Sequence, residues 1–249
     1  MHLDPTRRFS SRVEDYLRYR PSYPRGIIDL LARECGLATH SRIADIGSGT
    51  GLFSVLFLDF GCEVTGVEPN PEMRLAGERV LADRPRFHSV DGRAEATTLP
   101  DDGVDFVTAA QAFHWFEPSQ TRAEFRRILH PGGWVVLVWN ERLRVPGLMA
   151  GYEDLVARYG PECPRVEQHE LDYLFGHTSW HLAKLPNQQQ LALEGLKGRF
   201  LSSSRVPPPG TSGCEPLMEE LRRLFERHQK EERVTLLYDT EIYFGTLRE

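Results

Sequence analysis

An acidic residue followed by a glycine-rich turn is the feature of this sequence that most clearly suggests chemistry. The segment reads Asp45-Ile-Gly-Ser-Gly-Thr-Gly51, and glycines let a backbone approach a ligand closely and adopt φ angles that a Cβ would forbid. A dinucleotide-binding turn has the spacing G-x-G-x-x-G and a P-loop needs Gly-Lys-Ser/Thr, so the segment matches neither. Asp45 would repel a pyrophosphate. The turn therefore favours a ligand that carries an ammonium or a sulfonium.

Two further groups follow predicted strands and could hold a nucleoside. Glu68 ends the second strand, where a carboxylate can accept both ribose hydroxyls of an adenosine. After the third strand, the backbone amide of Ala94 and the carboxylate of Glu95 could bind an adenine edge. The plainer alternatives are an exposed acid at position 68 and a solvated Arg93.

The segment Gln111-Ala-Phe-His-Trp-Phe116 brings polar and aromatic residues to the end of the fourth strand. The pKa range of His114 suits proton removal from an acceptor at neutral pH, so this residue is a candidate catalytic base. A packed or hydrogen-bonded histidine fits the sequence equally well. Phe113 and Phe116 could equally cap the core.

Short apolar strands alternate with helical segments through the first part of the chain and must position these residues. The predicted strands are residues 42–46, 63–68, 87–90, 104–110 and 134–139. Strands that are apolar on both faces and alternate with helices imply a parallel sheet covered on both sides, which is an α/β fold. In such a sheet a ligand binds outside the carboxyl ends of the strands, where all four signals fall.

The alternation ends after residue 140, and the remaining chain predicts a different organisation. Residues 141–195 look helical and polar and predict an insertion that caps the active site. Further elements are expected as a strand at 198–203, a charged helix at about 215–231 and a final strand at 234–247. We expect four parts: an N-terminal helical segment over the cofactor site (1–40), a cofactor-binding core (41–140), the helical cap (141–195) and a C-terminal part that completes the sheet (196–249).

Composition narrows the function classes. The 249 residues carry a formal net charge of −6, so broad phosphate contacts with nucleic acid are not expected. The four cysteines have no metal-site or disulfide spacing, which predicts no metal centre and reduced thiols in the cytoplasm. The first residues lack the apolar region of a signal peptide, and no apolar run is long enough to cross a bilayer.

Several motifs together resemble the class I methyltransferases that use S-adenosylmethionine, and within them a small-molecule branch that includes the trans-aconitate type. The motifs are ADIGSGTG (44–51), GVEPNPEM (66–73), GRAEATTLPDDGVDFV (92–107), QAFHWF (111–116) and LHPGGWVVLVWNER (129–142), with YRPSYP (19–24) and YDTEIYFGTL (238–247) near the two ends. The resemblance implies a Rossmann-like seven-stranded sheet with its last strand antiparallel. It also implies methyl transfer to a small-molecule acceptor with an oxygen or nitrogen nucleophile, a carboxylate included.

The same resemblance assigns the cofactor site. We expect S-adenosylmethionine to contact residues of the turn, of the three following strand ends and of an N-terminal segment folding over it, namely Asp45, Gly47, Ser48, Gly49, Thr50, Gly51, Glu68, Pro69, Asn70, Met73, Ala94, Glu95, Gln111, Ala112, Phe113, Tyr16, Tyr19 and Arg20. Relatives often carry Asp where this chain has Arg93. Glu95 or the backbone alone would then bind the adenine amino group.

Two other functions fit parts of the pattern. A nicotinamide-dependent oxidoreductase would bind NADH, against which Asp45 and the missing fingerprint glycine argue. A non-catalytic module could keep the pocket for partner binding. The Asn/Asp-Pro-Pro-aromatic turn common among enzymes that methylate exocyclic nitrogens is replaced by Gln111-Ala-Phe-His, which further disfavours DNA and RNA substrates.

Overall fold

The computed structural model describes residues 18–159, 166–176, 180–202 and 214–247. In these ranges the strands are β1 Arg42–Ile46, β2 Glu63–Val67, β3 Phe87–Val90, β4 Val104–Ala110, β5 Leu129–Arg142, β6 Trp180–Leu191 and β7 Val234–Thr246. The α-helices are α1 Gly26–Cys35, α2 Ser54–Phe60, α3 Pro71–Val80, α4 Pro118–Ile128, α5 Leu148–Tyr159, α6 Gln168–Phe175, α7 Leu193–Leu201 and α8 Cys214–His228. The positions of the five apolar strands expected before residue 140 are confirmed.

The strands form one seven-stranded sheet in the order β3-β2-β1-β4-β5-β7-β6. The first five strands are mutually parallel, and β7 runs antiparallel to both of its neighbours. The order reverses between β1 and β4, so the loops after these two strands diverge and leave a crevice at the carboxyl edge of the sheet. The Rossmann-like fold and the antiparallel last strand expected from the sequence are confirmed.

Helices cover both faces of this sheet because its central strands are apolar on both sides. One face packs against α1 and α2, with Ile27 and Phe57 fully buried. The other face packs against α4 and α6 through Phe125 and Leu174. A third core lies among α5, α7, α8 and β7 and is built around residues such as Tyr152. Among the described residues, no helix has the length and apolar composition needed to cross a membrane.

The expectation that residues 141–195 are wholly helical is wrong. The segment contains α5 and α6, but residues 180–191 form the edge strand β6, whose one partner among the described strands is β7. Its partly buried face carries polar residues such as Asn187 and Gln189, which obscured the period-two pattern. Pro186 is tolerated because an edge strand leaves some N–H groups outside the ladder.

The strand expected at 198–203 is also wrong, because residues 193–201 form helix α7. Short apolar runs do not by themselves distinguish a buried strand from a buried helix. Strand β5 is longer than expected: it begins at Leu129, and its pairing with β4 changes register before Trp134. The helix expected at 215–231 corresponds to α8, and the final strand at 234–247 corresponds to β7.

Candidate active site

The glycine turn after β1 is held between the ends of two neighbouring strands. The amides of Gly47 and Ser48 donate to the carbonyl of Val67 at the end of β2, at 2.8 and 3.3 Å. Gly47 has φ +68°, and a Cβ at this position would lie 2.7 Å from the Cβ of Ala112 in the loop after β4. Gly49 has φ +57°, and a Cβ there would lie 3.2 Å from Cε of Met73. The turn therefore needs glycine both for its backbone angles and for its close packing.

Asp45 lies beneath this turn with only 1% of its surface exposed. Its carboxylate accepts hydrogen bonds from Ser54 Oγ at 2.6 Å and from Thr108 Oγ1 at 3.0 Å. Burial raises the pKa of the Asp45 carboxyl to about 6, although the two hydroxyls lower it, and the nearby Glu68 raises it further. The carboxylate of Asp45 thus places beneath the glycine turn a negative charge that is costly to bury and that a cationic ligand would stabilise.

Glu68 is the second carboxylate of the site and follows β2 directly. It accepts hydrogen bonds from the amides of Gly49 at 2.9 Å and Asn70 at 2.8 Å. Burial raises the pKa of the Glu68 carboxyl, while these two hydrogen bonds and the positive charge of Arg74 lower it. The structure therefore brings Glu68 against the glycine turn, as a ribose-binding carboxylate requires, and contradicts the alternative of an exposed surface acid.

Residues 69–73 shape the wall of the site beside Glu68. The side chain of Asn70 accepts from the amides of Glu72 and Met73 and so caps helix α3. Pro71 occupies the first helical turn, where its missing N–H costs nothing. Asn70 is 2% exposed and Met73 is 5% exposed, so both support the turn from within. Pro69 is half-buried between Glu68 and this cap.

The loop after β3 forms a tight turn in which Arg93 and Ala96 exchange two backbone hydrogen bonds. Ala94 is 3% exposed at its centre, whereas the side chain of Arg93 is exposed. Glu95 accepts the amide of Glu117 at 2.8 Å, ahead of helix α4. The solvated Arg93 anticipated as the alternative is what the structure has.

The segment after β4 reaches the site through a left-handed residue. Gln111 has φ +58° and donates its amide to the carbonyl of Val138 on β5 at 2.9 Å. A non-glycine residue in this region is uncommon and often accompanies a functional constraint. The following Ala112 contacts the glycine turn, and the ring of Phe113 packs edge-on against Trp139 in the core. The alternative that Phe113 caps the core describes its position.

His114 lies in the short 3-10 helix Phe113–Trp115, half-buried, with its ring 4.9 Å from that of Trp115. It stands next to the loop that touches the glycine turn. This position is compatible with access to an acceptor at the carboxyl edge of the sheet.

The N-terminal segment lies across the ends of the later strands. Tyr16 lies outside the described residues. The carbonyl of Tyr19 accepts from Gln189 Nε2 at 3.0 Å, and Arg20 Nη2 donates to the carbonyl of Ser202 at 3.0 Å. The carbonyl of Ser22 accepts from the side-chain amides of two strand residues, Asn187 at 2.8 Å and Asn140 at 3.3 Å.

The sequence did not identify the two residues that donate hydrogen bonds to Asp45, which are Ser54 and Thr108. A threonine in the apolar run Phe106–Ala110 of β4 was the available signal, since a buried hydroxyl needs a partner. Ser54 at the start of α2 gave no comparable signal. Among the described residues, no group of three or more His, Cys, Asp or Glu side chains is arranged to hold a metal ion.

The assembled site has two buried carboxylates and close-approach glycines at the carboxyl ends of β1 and β2, with the loop after β4 packed against them. Such a site suits a ligand with a cationic group near Asp45 and a diol near Glu68. The loop after β4, with His114, faces the same edge. The arrangement can hold a charged nucleoside and present it to a second molecule.

The family model and the relatives described below are methyltransferases or methyltransferase-like proteins. A family model described as a methyltransferase domain matches residues 44–137, from β1 into β5. A methyltransferase-like protein of Schizosaccharomyces pombe is 31% identical over 242 residues, covering 93% of this chain and 92% of its own length. An uncharacterized methyltransferase of Mycobacterium tuberculosis is 38% identical over 152 residues, covering 61% of this chain. That match spans 60% of the length of the mycobacterial protein.

Solved structures agree on the fold. A candidate type II methyltransferase from Anaeromyxobacter dehalogenans superposes with a TM-score of 0.72 at 25% identity, over 92% of this chain and 98% of the other. A geranyl diphosphate methyltransferase in complex with S-adenosylmethionine superposes with a TM-score of 0.51 at 16% identity, over 89% and 84%. The second likeness concerns the fold alone.

Proposed function

This chain belongs to the class I S-adenosylmethionine-dependent methyltransferase family, and we propose that it transfers the methyl group of that cofactor to an oxygen or nitrogen nucleophile of a small molecule, a carboxylate included. The observation that carries the cofactor part is the convergence of Asp45, Glu68 and the glycine turn at the reversal of strand order. The net charge of −6 and the Gln111-Ala-Phe-His segment favour a small molecule over a nucleic acid.

The residues present fit the cofactor. The carboxylate of Asp45 would stabilise the ammonium group, and the carboxylate of Glu68 would accept the ribose hydroxyls. A Cβ on Gly47 would meet Ala112 at 2.7 Å, so glycine allows the turn to pack against the loop after β4, next to the proposed position of the ligand. Ala94 and Glu95 would line the adenine, and Gln111 would present its backbone to the methionine part.

The remaining predicted contacts would act through the shape of the crevice. Ser48, Thr50 and Gly51 complete the turn, and Pro69, Asn70 and Met73 form the wall beneath the ribose. Ala112 and Phe113 support the floor next to β4. Tyr19 and Arg20, with Tyr16 outside the described residues, belong to the segment that would exclude water from above.

The chemistry requires little of the protein beyond alignment. S-adenosylmethionine supplies an electrophilic methyl carbon on a sulfonium. The chain must hold the acceptor nucleophile in line, at about 3–3.5 Å from the reacting carbon, and keep water out. A carboxylate acceptor is already ionised and needs no base, whereas a phenol or an amine must lose a proton. His114 would accept that proton.

The test of this proposal is calorimetric titration of the chain with S-adenosylhomocysteine, with NADH as the parallel control. We expect micromolar binding of the first and no binding of the second. Binding of NADH alone would contradict the proposal and support an oxidoreductase. Binding of S-adenosylhomocysteine without methyl transfer to any of a broad set of small acids, phenols and amines would indicate a non-catalytic module.

We also propose that this enzyme is located in the cytoplasm. Cys35, Cys62 and Cys214 are free and buried in the described part of the chain, as suits reduced thiols. Burial raises the pKa of Cys35 to about 12 and that of Cys62 to about 11, so neither is a reactive thiolate. Fractionation of the source cells would test the location.

A further inference from the structure

The loop after β3, which is proposed above to line the adenine, contains a residue in an unfavourable backbone conformation. Thr98 has φ +65° and is exposed to solvent. A β-branched residue in the left-handed region is an outlier that persists only where its surroundings impose it. Because Thr98 is itself exposed, the contacts of the residues on either side must hold this part of the loop in place.

Thr97 and Leu99, the two neighbours of Thr98, are both bonded to one charged pair on helix α4. The amide and the Oγ1 of Thr97 donate to Oε1 of Glu124 at 2.7 and 2.6 Å. The Nη1 of Arg127 donates to the carbonyl of Leu99 at 2.8 Å. The strained turn is therefore fastened to α4 on both of its sides.

Glu124 and Arg127 form a closely matched ion pair on a helix that is itself fixed to the sheet. Arg127 donates from Nε to Oε2 of Glu124 at 2.8 Å and from Nη2 to Oε1 at 2.7 Å, so two hydrogen bonds orient both side chains. The hydrogen bonds from Arg127 and Thr97, opposed by burial, lower the pKa of the Glu124 carboxyl to about 2. Phe125 and Ile128 are fully buried against the sheet. The carboxylate is thus ionised at neutral pH and held on a firm support.

Thr97 closes the part of the loop that would face the cofactor. It is fully buried. The loop returns on itself there, since a Cβ on Gly92 would lie 2.9 Å from the carbonyl oxygen of Thr97 and 2.9 Å from Cγ1 of Val67 at the end of β2. Residues 92–97 therefore form a closed turn against the end of β2, directly before Glu68. The position of this turn depends on where Thr97 is held.

The same helix also holds the carboxylate proposed above for the adenine amino group. Glu95 Oε1 accepts from the amide of Glu117 at 2.8 Å, and Glu117 is the N-cap of α4. Glu124, which holds Thr97, lies about two turns further along α4. A loop fixed at both points is preorganised for its ligand, whereas a loop released at Thr97 would have to be ordered by the ligand at a cost in affinity.

We propose that Glu124 is a positioning residue for base recognition, which holds the loop after β3 through Thr97 so that Glu95 can select adenine. This inference rests on the function proposed above. In it Glu124 touches the loop and not the cofactor. Losing Glu124 should therefore cost more affinity for a ligand with the adenine amino group than for one without it, because only the first ligand gains the hydrogen bond that the positioned loop offers.

The test compares S-adenosylhomocysteine with S-inosylhomocysteine, in which a carbonyl replaces the amino group of the base. Both are titrated calorimetrically into the full chain, and the ratio of the two Kd values is the readout. We expect the wild type to prefer adenine about tenfold or more, because a hydrogen bond to a charged group is lost with the other base. Glu124→Leu should weaken S-adenosylhomocysteine binding about tenfold and reduce the preference to about threefold or less. Damage to the fold in general would weaken both ligands alike and keep the ratio.

Two milder variants grade the effect. Glu124→Gln keeps an oxygen for Thr97 while weakening the pair with Arg127, so it should retain more of the preference than Glu124→Leu does. Thr97→Val removes the hydroxyl and keeps the shape of the side chain, and it should reduce the preference about threefold. It tests the proposal even if Glu124→Leu does not fold.

Glu219→Leu is the matched control, because Glu219 forms the same kind of pair with an arginine three residues later, Arg222 on α8. It removes an equivalent carboxylate from a helix outside the loop after β3 and should leave both affinities unchanged. A change in the ratio as large as that in Glu124→Leu would assign the effect to general stability and overturn the inference.

The other outcomes separate this inference from the proposed function. A wild-type chain without preference for adenine would overturn the inference, as would a preference that survives unchanged in both Glu124→Leu and Thr97→Val. Loss of both ligands by the same factor in Glu124→Leu would leave that residue a structural role alone and would also overturn it. Absence of S-adenosylhomocysteine binding to the wild-type chain would instead contradict the proposed function.

Discussion

At the scale of single residues, Asp45 shows what burying a carboxylate in the candidate site costs in stability. Its carboxylate is buried and has a pKa raised to about 6, mainly by desolvation. The unfolded chain has the ordinary value of 3.8. Between these two values the folded state binds more protons than the unfolded state, so the free energy of unfolding falls as pH rises. The loss amounts to about 3 kcal/mol at neutral pH.

Asp45→Asn should therefore stabilise the chain without ligand. We expect its free energy of unfolding to exceed that of the wild type by about 1–3 kcal/mol at pH 7.5, and by little at pH 4. Urea denaturation of both proteins at the two pH values measures this. Asp29→Asn, at an exposed position on α1, is the control and should show no such pH-dependent difference. A destabilised Asp45→Asn at pH 7.5 would mean that Ser54 and Thr108 outweigh the burial cost.

The same pKa predicts how cofactor binding depends on pH. If ionised Asp45 holds the ammonium group, the affinity for S-adenosylhomocysteine rises about tenfold per pH unit below 6 and levels off above it. Calorimetric titration between pH 5 and 8 measures this profile. Asp45→Asn should bind weakly with a flat profile. An identical profile in both proteins would assign the pH dependence to another group.

His114 makes a prediction that depends on the acceptor. His114→Ala should lower kcat by about 10²-fold or more on a phenol or amine acceptor, which must lose a proton. On a carboxylate acceptor kcat should change little. Parallel assays with both acceptor types measure the contrast. An unchanged rate on the phenol or amine would remove the general-base role.

At the scale of elements, the loop after β1 and the loop after β4 form one packed unit. Gly47 and Ala112 approach each other closely, and both loops donate backbone amides to neighbouring strands. The site therefore depends on strand register: a slip of one residue between β1, β2 and β4 would separate these contacts. Gln111, at the start of the second loop, has positive φ and donates its amide to Val138 on β5.

Gly47→Ala tests this unit against Gly132→Ala. Both glycines have positive φ, at +68° and +84°, but a Cβ at Gly132 meets nothing within 4 Å. Gly132→Ala should lower the free energy of unfolding by about 1 kcal/mol, the strain of the left-handed backbone alone. Gly47→Ala should add the clash with Ala112, cost about 2–4 kcal/mol and weaken S-adenosylhomocysteine binding strongly. Equal costs and equal binding would show that the loop contact is unimportant.

At the scale of the whole molecule, a row of polar side chains crosses three adjacent strands and fixes the N-terminal segment. Thr240 Oγ1 on β7 donates to Asn140 Oδ1 on β5 at 2.6 Å, and Asn187 Nδ2 on β6 donates to the same oxygen at 3.1 Å. Both asparagines donate to the carbonyl of Ser22. The edge strand β6 thus helps to hold the N-terminal segment, although β6 is far from the glycine turn in the sheet.

Asn187→Leu should loosen this segment without unfolding the sheet. Losing the hydrogen bond to Ser22 should lower the local opening free energy by about 1–2 kcal/mol, which is about a 5- to 30-fold faster amide exchange in residues 18–23. Hydrogen-exchange mass spectrometry measures this, and S-adenosylhomocysteine should protect the segment less than in the wild type. Gln188→Leu, an exposed neighbour on the same strand, is the control. Unchanged amide exchange of residues 18–23 in Asn187→Leu would show that Asn187 on β6 does not hold the N-terminal segment.

Much of the core, and the convergence of Asp45, Glu68 and the glycine turn at the candidate site, could be predicted from the sequence. The strand before Asp45 and the strand before Glu68 are short, apolar and bounded by turn residues, so local spacing suffices to identify them. The glycine turn has a backbone requirement that few other residues meet, and this makes it readable from residue type alone. The family resemblance rests on the same local segments, and the division into four parts stays a prediction.

Other features depended on contacts between residues distant in the chain. Polar residues at the inner face of β6 concealed a strand, because they are satisfied by the N-terminal segment, more than 160 positions earlier. Ser54 and Thr108 became recognisable only when both were found on the Asp45 carboxylate. The charge of Arg199 appeared in the sequence, but its burial on α7 did not. Local periodicity determines which strands form, whereas desolvation and long-range pairing, which only the tertiary structure decides, determine which polar groups are left needing a ligand.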